Sequence, residues 1–210
     1  MRYSIGDFII MYIVILLSLT VHESAHAWLA YKKGDPTARL LGRISLNPLV
    51  HIDLLGTVIF PILAAISGWP LIGWAKPVPI NPLNLRDPKR DYMYISASGP
   101  VSNLMLAVGF SLVFYISRVS LPLGNPLFTP FFRFLYFGIL LNVLLAVFNL
   151  IPIPPLDGSG VLMGLLSDEA ARKYQRLSPF GIFILYILMF AGIFSFIIFP
   201  IVSFIVNLLI

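Results

Sequence analysis

Five stretches of this 210-residue chain carry no Asp, Glu, Lys or Arg. They are Phe8–His22 (which continues past Glu23 to Tyr31), Leu54–Ala75, Tyr92–Ser117, Phe134–Leu156 and Leu177–Ile210. A helix needs about 20 mostly apolar residues to cross the hydrocarbon core of a bilayer, and each stretch has that length. Soluble domains draw on about 25% charged residues to clothe their surface. Here the charged share is 11% against 59% apolar, which excludes a soluble globule, and disorder needs the opposite composition. The chain therefore reads as an all-α, polytopic transmembrane helix bundle, one domain over residues 1–210, with the lipid bilayer as its surroundings. No cleavable signal peptide is expected, because the first apolar run carries His and Glu in its second half.

Basic loops separate the apolar stretches, so the net charge of +5 is read as topology and headgroup contact, with no nucleic-acid partner. Leu54–Ala75 is unlike the others, being punctuated by Gly56, Pro61, Gly68, Pro70 and Gly73. If all five stretches crossed once, the Lys and Arg residues would divide eight against six. If Leu54–Ala75 dips in and returns, they divide eleven against three, as positive-inside sorting requires. The expectation is four crossings plus a re-entrant element at 54–75, with both chain ends on the outer side. Leu177–Ile210 is expected to break near Pro200. The segment Thr37–Leu46 partly alternates around Gly42, which suggests a short β-hairpin at the membrane surface.

The first apolar helix ends in Val21-His22-Glu23-Ser24-Ala25-His26, an H-E-x-x-H pattern. On a helix, His22 and His26 lie about 40° apart in azimuth and about 6 Å apart along the axis. Both imidazoles can take one zinc, with Glu23 beside them to act on water. The chain holds three His and two Glu in all, and three of those five fall in this pentapeptide. A pair of core histidines beside a stray Glu is the bland alternative. It is disfavoured because ionisable groups at membrane depth are costly.

With no cysteine in the chain, a third ligand must supply nitrogen or oxygen. His51, Asp53 and Asp157 are the candidates. Asp157 is favoured, since Pro152, Pro154 and Pro155 unwind the chain before it and Gly158 and Gly160 allow close approach. The alternative for Asp157 is a helix cap for Gly160–Leu166. A metal bond of about 2 Å requires His26 and Asp157 to leave their spans on the same face. That is true only if Leu54–Ala75 returns, so metal sharing and charge bias agree.

The H-E-x-x-H within an apolar helix and the later Asn149-x-x-Pro152-x-Pro154-Pro155-Leu156-Asp157-Gly158 resemble the site-2 protease family of intramembrane zinc metalloproteases. Gly99-Pro100-Val101-Ser102-Asn103 resembles the family's G-P-x-x-[NS] element. The likeness runs from about residue 11 to residue 160 and implies a short form without a PDZ or regulatory domain. It also implies one zinc ion per chain held by His22, His26 and Asp157, with Glu23 as catalytic base. The three core spans would be 8–31, 92–117 and 134–156. Asn149 is the first choice of donor to an oxyanion, and Asn103 is a further substrate or oxyanion candidate. His51 is either a contact to substrate or ligand, or an interfacial cap on the re-entrant segment.

The expected activity is hydrolysis of peptide bonds in or near transmembrane segments of membrane-anchored protein substrates, as in regulated intramembrane proteolysis. The loop Gly73–Ile80 could supply an edge strand or gate for an unwound substrate. The expected location is a prokaryotic plasma membrane, with the site nearer the cytoplasmic face. Two other readings remain: a divalent-metal transporter or channel, and an inactive membrane scaffold. The oligomeric state is open.

Overall fold

The protein is described by a computed structural model covering residues 4–67, 73–122 and 125–210. Helix α1 (Ile5–Lys33) is followed by a single turn, α2 (Thr37–Leu40), and a 3-10 turn at Pro48–His51. A π-type turn at Leu54–Ile59 runs into α3 (Phe60–Ser67). An irregular strap over 73–81 and a 3-10 turn at Pro82–Asn84 lead to α4 (Pro88–Ser120), then α5 (Thr129–Asn149), α6 (Asp157–Leu165) and α7 (Asp168–Gln175). The chain ends in α8 (Gly181–Phe190) and α9 (Phe199–Leu209), the latter entered through a π-type turn at Phe194–Ile198.

Helix α1 has 29 residues, which is about 44 Å of helix. Its start is fixed by a reciprocal cap: Ser4 accepts from the Asp7 backbone N–H, and the Asp7 carboxylate accepts from the Ser4 N–H. Its end carries Lys32 and Lys33, where the helix dipole favours cations. Helices α1, α4 and α5 all pack on one another, α6 packs on α4, and α9 packs on α5. The apolar contacts follow that arrangement. Val14 of α1 meets Phe137 and Leu141 of α5. Ala107 of α4 and Ile139 and Val143 of α5 meet Val202 and Val206 of α9.

Two ion pairs set the directions of the three long helices. Asp7 near the start of α1 pairs with Arg133 near the start of α5 at 2.6 Å. Lys33 at the end of α1 pairs with Asp91 near the start of α4 at 2.8 Å. So α1 and α5 run the same way and α4 runs back against both. Residues 34–87 therefore leave and rejoin the bundle at one end. Their own contacts agree: the Lys76 N–H donates to the His51 carbonyl at 2.9 Å, and the Gly73 backbone abuts that of Gly56. A segment that crossed a layer of about 30 Å could not bring its two ends together in this way. The tip of the excursion, residues 68–72, lies outside the described residues.

Among the described residues, α1, α4 and α5 are long and apolar enough to span a bilayer. A bent pair, Asp168–Phe190 with Phe194–Leu209, would be a fourth, and its two parts meet at 73°. Two expectations are corrected here. The C-terminal stretch breaks at Gly192, whose φ is 75°, and not at Pro200. Pro200 sits in the first turn of α9, where no N–H donor is needed. Residues 37–46 form no β-hairpin, and no strand occurs among the described residues. The Asp35 carboxylate accepts from the Thr37 N–H at 3.1 Å and winds Thr37–Leu40 into a helical turn.

Asp35 also clamps this end of the bundle. Its carboxylate accepts from Thr37 Oγ1 at 2.5 Å, the Asn81 N–H at 2.7 Å and Asn84 Nδ2 at 2.9 Å, and the residue is fully buried. Burial pushes its pKa up, but the bonds from Asn84, Thr37 and Asn81 outweigh burial and hold it below the usual carboxylate value. A depressed folded pKa contributes stability above the unfolded value, and that stability is lost as pH falls through the folded value. Asp35→Asn should therefore cost about 2–4 kcal/mol near neutral pH, because the amide group puts donors against donors. The gap to wild type should shrink below about pH 4. Thermal unfolding in detergent from pH 3 to 7 measures both. A gap that does not change with pH would contradict the clamp.

Candidate metal centre

Because α1 is a regular helix at this point, His22 and His26 present their rings to one side, with ring centroids 4.7 Å apart. Both are buried, at 5% and 7% exposure. Asp157 reaches them from the first residue of α6. Its Oδ2 is 3.0 Å from His22 Nε2 and its Oδ1 is 3.3 Å from His26 Nε2. The three ligand atoms lie within 4.8 Å of one another, close enough to hold one metal ion. The Pro-interrupted turn after α5 delivers this carboxylate. α5 ends at Asn149 instead of running on to Leu156, and the chain then reverses into α6. The N-cap position of α6 is Leu156, so the Asp157 side chain faces the imidazoles and does not serve as the cap.

The partners of the two rings point to a cation site. His26 Nδ1 is 2.7 Å from the Ile95 carbonyl oxygen, which can only accept, so this nitrogen carries the proton. His22 Nδ1 is 2.6 Å from Asn103 Oδ1. Both Nε2 atoms face into one space, 3.1 Å apart. Asp157 Oδ2 is buried there, with no polar neighbour in reach besides these imidazole nitrogens. Two imidazole nitrogens and a carboxylate facing one space form a donor set that a divalent ion satisfies. A borderline ion such as zinc suits two nitrogens and one oxygen.

Helix α4 closes the back of this space. Gly99 lies against the rings, and a Cβ there would come within 2.6 Å of both His22 and His26. On the open side, the Glu23 Oε2 accepts from the Val78 N–H at 2.9 Å. The strap over 73–81 thus crosses beside Glu23, and the Arg43 guanidinium anchors it through the Lys76 carbonyl. Burial pushes the Arg43 pKa down, and Glu23 pulls it back up.

The remaining sequence candidates sit elsewhere. Asp53 caps the turn at Leu54–Ile59 through the Leu55 and Gly56 N–H groups. His51 is buried behind α1, with Nε2 2.9 Å from the Ser45 carbonyl and 3.3 Å from Ser24 Oγ, and it does not join the three ligands. Asn149 donates to the Leu145 carbonyl at 3.0 Å, turned onto its own helix. Asn103 is fully buried and meets His22 from behind. Sequence reasoning passed over Asn142, Val78 and the Ile95 carbonyl. Of these, only Asn142 gave a signal, as a lone polar residue deep in a charge-free stretch.

Comparison with known proteins agrees with this geometry. A profile described as peptidase family M50 matches residues 116–192, which include Asp157. YwhC of Bacillus subtilis, named as a proposed zinc metalloprotease, is 35% identical over 91% of this chain and 84% of its own length. Rip2 of Mycolicibacterium smegmatis, named in the same way, is 31% identical over 88% of this chain and 68% of its own length. No solved structure matches the chain. By its likeness to these two relatives and to the family profile, the chain belongs to peptidase family M50, the site-2 proteases.

Proposed function

We propose that residues 1–210 form a single intramembrane zinc metalloprotease domain. It would cut peptide bonds in or near transmembrane segments of membrane-anchored proteins, as in regulated intramembrane proteolysis. One observation carries this reading: His22, His26 and Asp157 converge from two separate elements, with Glu23 next to them on α1. These three would hold one zinc ion, which would supply Lewis acidity to polarise a carbonyl and make water acidic near neutral pH.

The protein's own groups do the rest. Glu23 takes a proton from water and delivers it to the leaving amine. Val78, through its N–H, orients the Glu23 carboxylate. Asn149 would serve a developing oxyanion by giving up its bond to the Leu145 carbonyl. An apolar groove of about 670 Å³ runs between α1, α4 and α5, lined by Val21, Ser102, Met105, Phe110 and Phe134. It reaches the neighbours of His22 and Asn103, and its walls suit an apolar segment better than a soluble peptide. Eleven of the 14 Lys and Arg residues fall in the segments at the same end of the bundle as the site. The positive-inside rule therefore supports a prokaryotic plasma membrane with the site nearer the cytoplasm.

The test uses the full chain in vesicles with a single-span protein substrate. Cleavage should stop on chelation and return with zinc. Zinc uptake without any cleavage would refute the protease reading, and zinc flux across the vesicle wall would favour a transporter.

A further inference from the structure

Asn142 lies at the middle of α5 with no exposure at all. An amide at that depth is costly unless each of its groups is paired. Its Nδ2 donates to the Gly138 carbonyl at 2.8 Å, and its Oδ1 accepts from Asn103 Nδ2 at 2.8 Å. Asn103 Nδ2 also lies 3.3 Å from the Ser18 carbonyl, and Asn103 Oδ1 lies 2.6 Å from His22 Nδ1. Backbone carbonyls cannot donate, so Gly138 and Ser18 fix the direction of both amides. Turning Asn142 over would set its oxygen against the Gly138 carbonyl and its NH2 against that of Asn103, and turning Asn103 over would set its oxygen against both the Ser18 carbonyl and Asn142 Oδ1.

We infer that Asn142, acting through Asn103, holds His22 as the Nδ1–H tautomer and so keeps the Nε2 lone pair in the space shared with His26 and Asp157. Both asparagines are positioning residues for a metal ligand, and in that respect the inference rests on the proposed function. The two histidines differ in how they reach this state. His26 takes its tautomer directly from a backbone carbonyl. The partner of His22 is a side-chain amide that could face either way, and Asn142 at 2.8 Å, helped by the more distant Ser18 carbonyl at 3.3 Å, removes that freedom. The arrangement gives Asn103 and Asn142 a joint role in the site without contact to substrate.

The test is made on the full chain in detergent with nitrogen-15-labelled histidine, alongside zinc affinity by chelator competition. In the metal-free wild type, His22 should carry its proton on Nδ1. Asn142→Leu should mix the two tautomers and weaken zinc binding about 10- to 100-fold, the usual cost of losing a partner behind a metal ligand. Asn142→Asp is nearly isosteric. It keeps an oxygen for Asn103 and, carrying its proton, a donor for Gly138, so it should restore both readouts. A purely structural role would lower the melting temperature without moving the tautomer. Unchanged tautomer and affinity in Asn142→Leu would overturn the inference. If that variant does not fold, the wild-type spectrum decides alone, since an Nε2-protonated His22 overturns the inference without any variant. A wild-type chain with the Nδ1–H tautomer that binds no zinc would sink the metalloprotease reading and leave the positioning chain intact.

Discussion

Glu23→Gln should bind zinc as tightly as the wild type and cleave a membrane-anchored substrate about 100- to 10,000-fold more slowly, the range expected when a general base is removed. Glutamine is nearly the same size, and its carbonyl oxygen can still accept from the Val78 N–H, so the strap over 73–81 has no reason to move. Glu23 is not one of the three residues that converge closely enough to hold an ion, so metal uptake should not depend on its charge. The chemistry is what changes, because an amide cannot take up a proton at neutral pH. The same variant separates the competing readings. A metal transporter would go on moving zinc, and a scaffold would lose nothing. Turnover within tenfold of wild type would place the base elsewhere.

The parts of this protein that the sequence made legible are those governed by period and charge. Helical spacing alone puts His22 and His26 on one face, and the structure has them there. The division of Lys and Arg favoured a returning stretch at 54–75, and the Asp7–Arg133 and Lys33–Asp91 pairs place the end of α1 and the start of α4 at one end of the bundle. Charge sorting reads well because it is a property of whole loops and does not depend on any one contact.

What the sequence obscured depended on which neighbour a residue meets. Pro200 looked like a break, but proline fits the first turn of a helix as well as it ends one, and the true break lies at Gly192. The alternation at 37–46 suggested a hairpin, yet the Asp35 carboxylate offered the Thr37 N–H a closer partner. Asn103 was legible as a polar residue with a purpose, but sequence cannot say which way a side chain faces. It meets His22 Nδ1 and not the open side of the site.

Gly99→Ala should remove zinc binding while leaving the helix bundle at least as helical as before. The added Cβ would come within 2.6 Å of ring atoms of both His22 and His26, far inside van der Waals contact. The rings have nowhere to retreat. His22 Nδ1 is held by Asn103 and His26 Nδ1 by the Ile95 carbonyl, and both residues are buried. Relief must come from displacing α4 or tilting the imidazoles, at a cost of about 1–3 kcal/mol for an overpacked site. Metal coordination tolerates errors of only about 0.2 Å in ligand distance, so a shift of several tenths of an ångström is enough to lose it. We expect zinc affinity to drop at least about 100-fold, beyond the usual loss from a disturbed ligand environment. Local helix propensity moves the other way, since alanine is favoured over glycine by about 1 kcal/mol within a helix. Circular dichroism and chelator competition on the same sample would therefore part, with helicity kept and metal lost. A folded Gly99→Ala chain that still takes up zinc with near wild-type affinity would mean that the ion does not sit between these two rings.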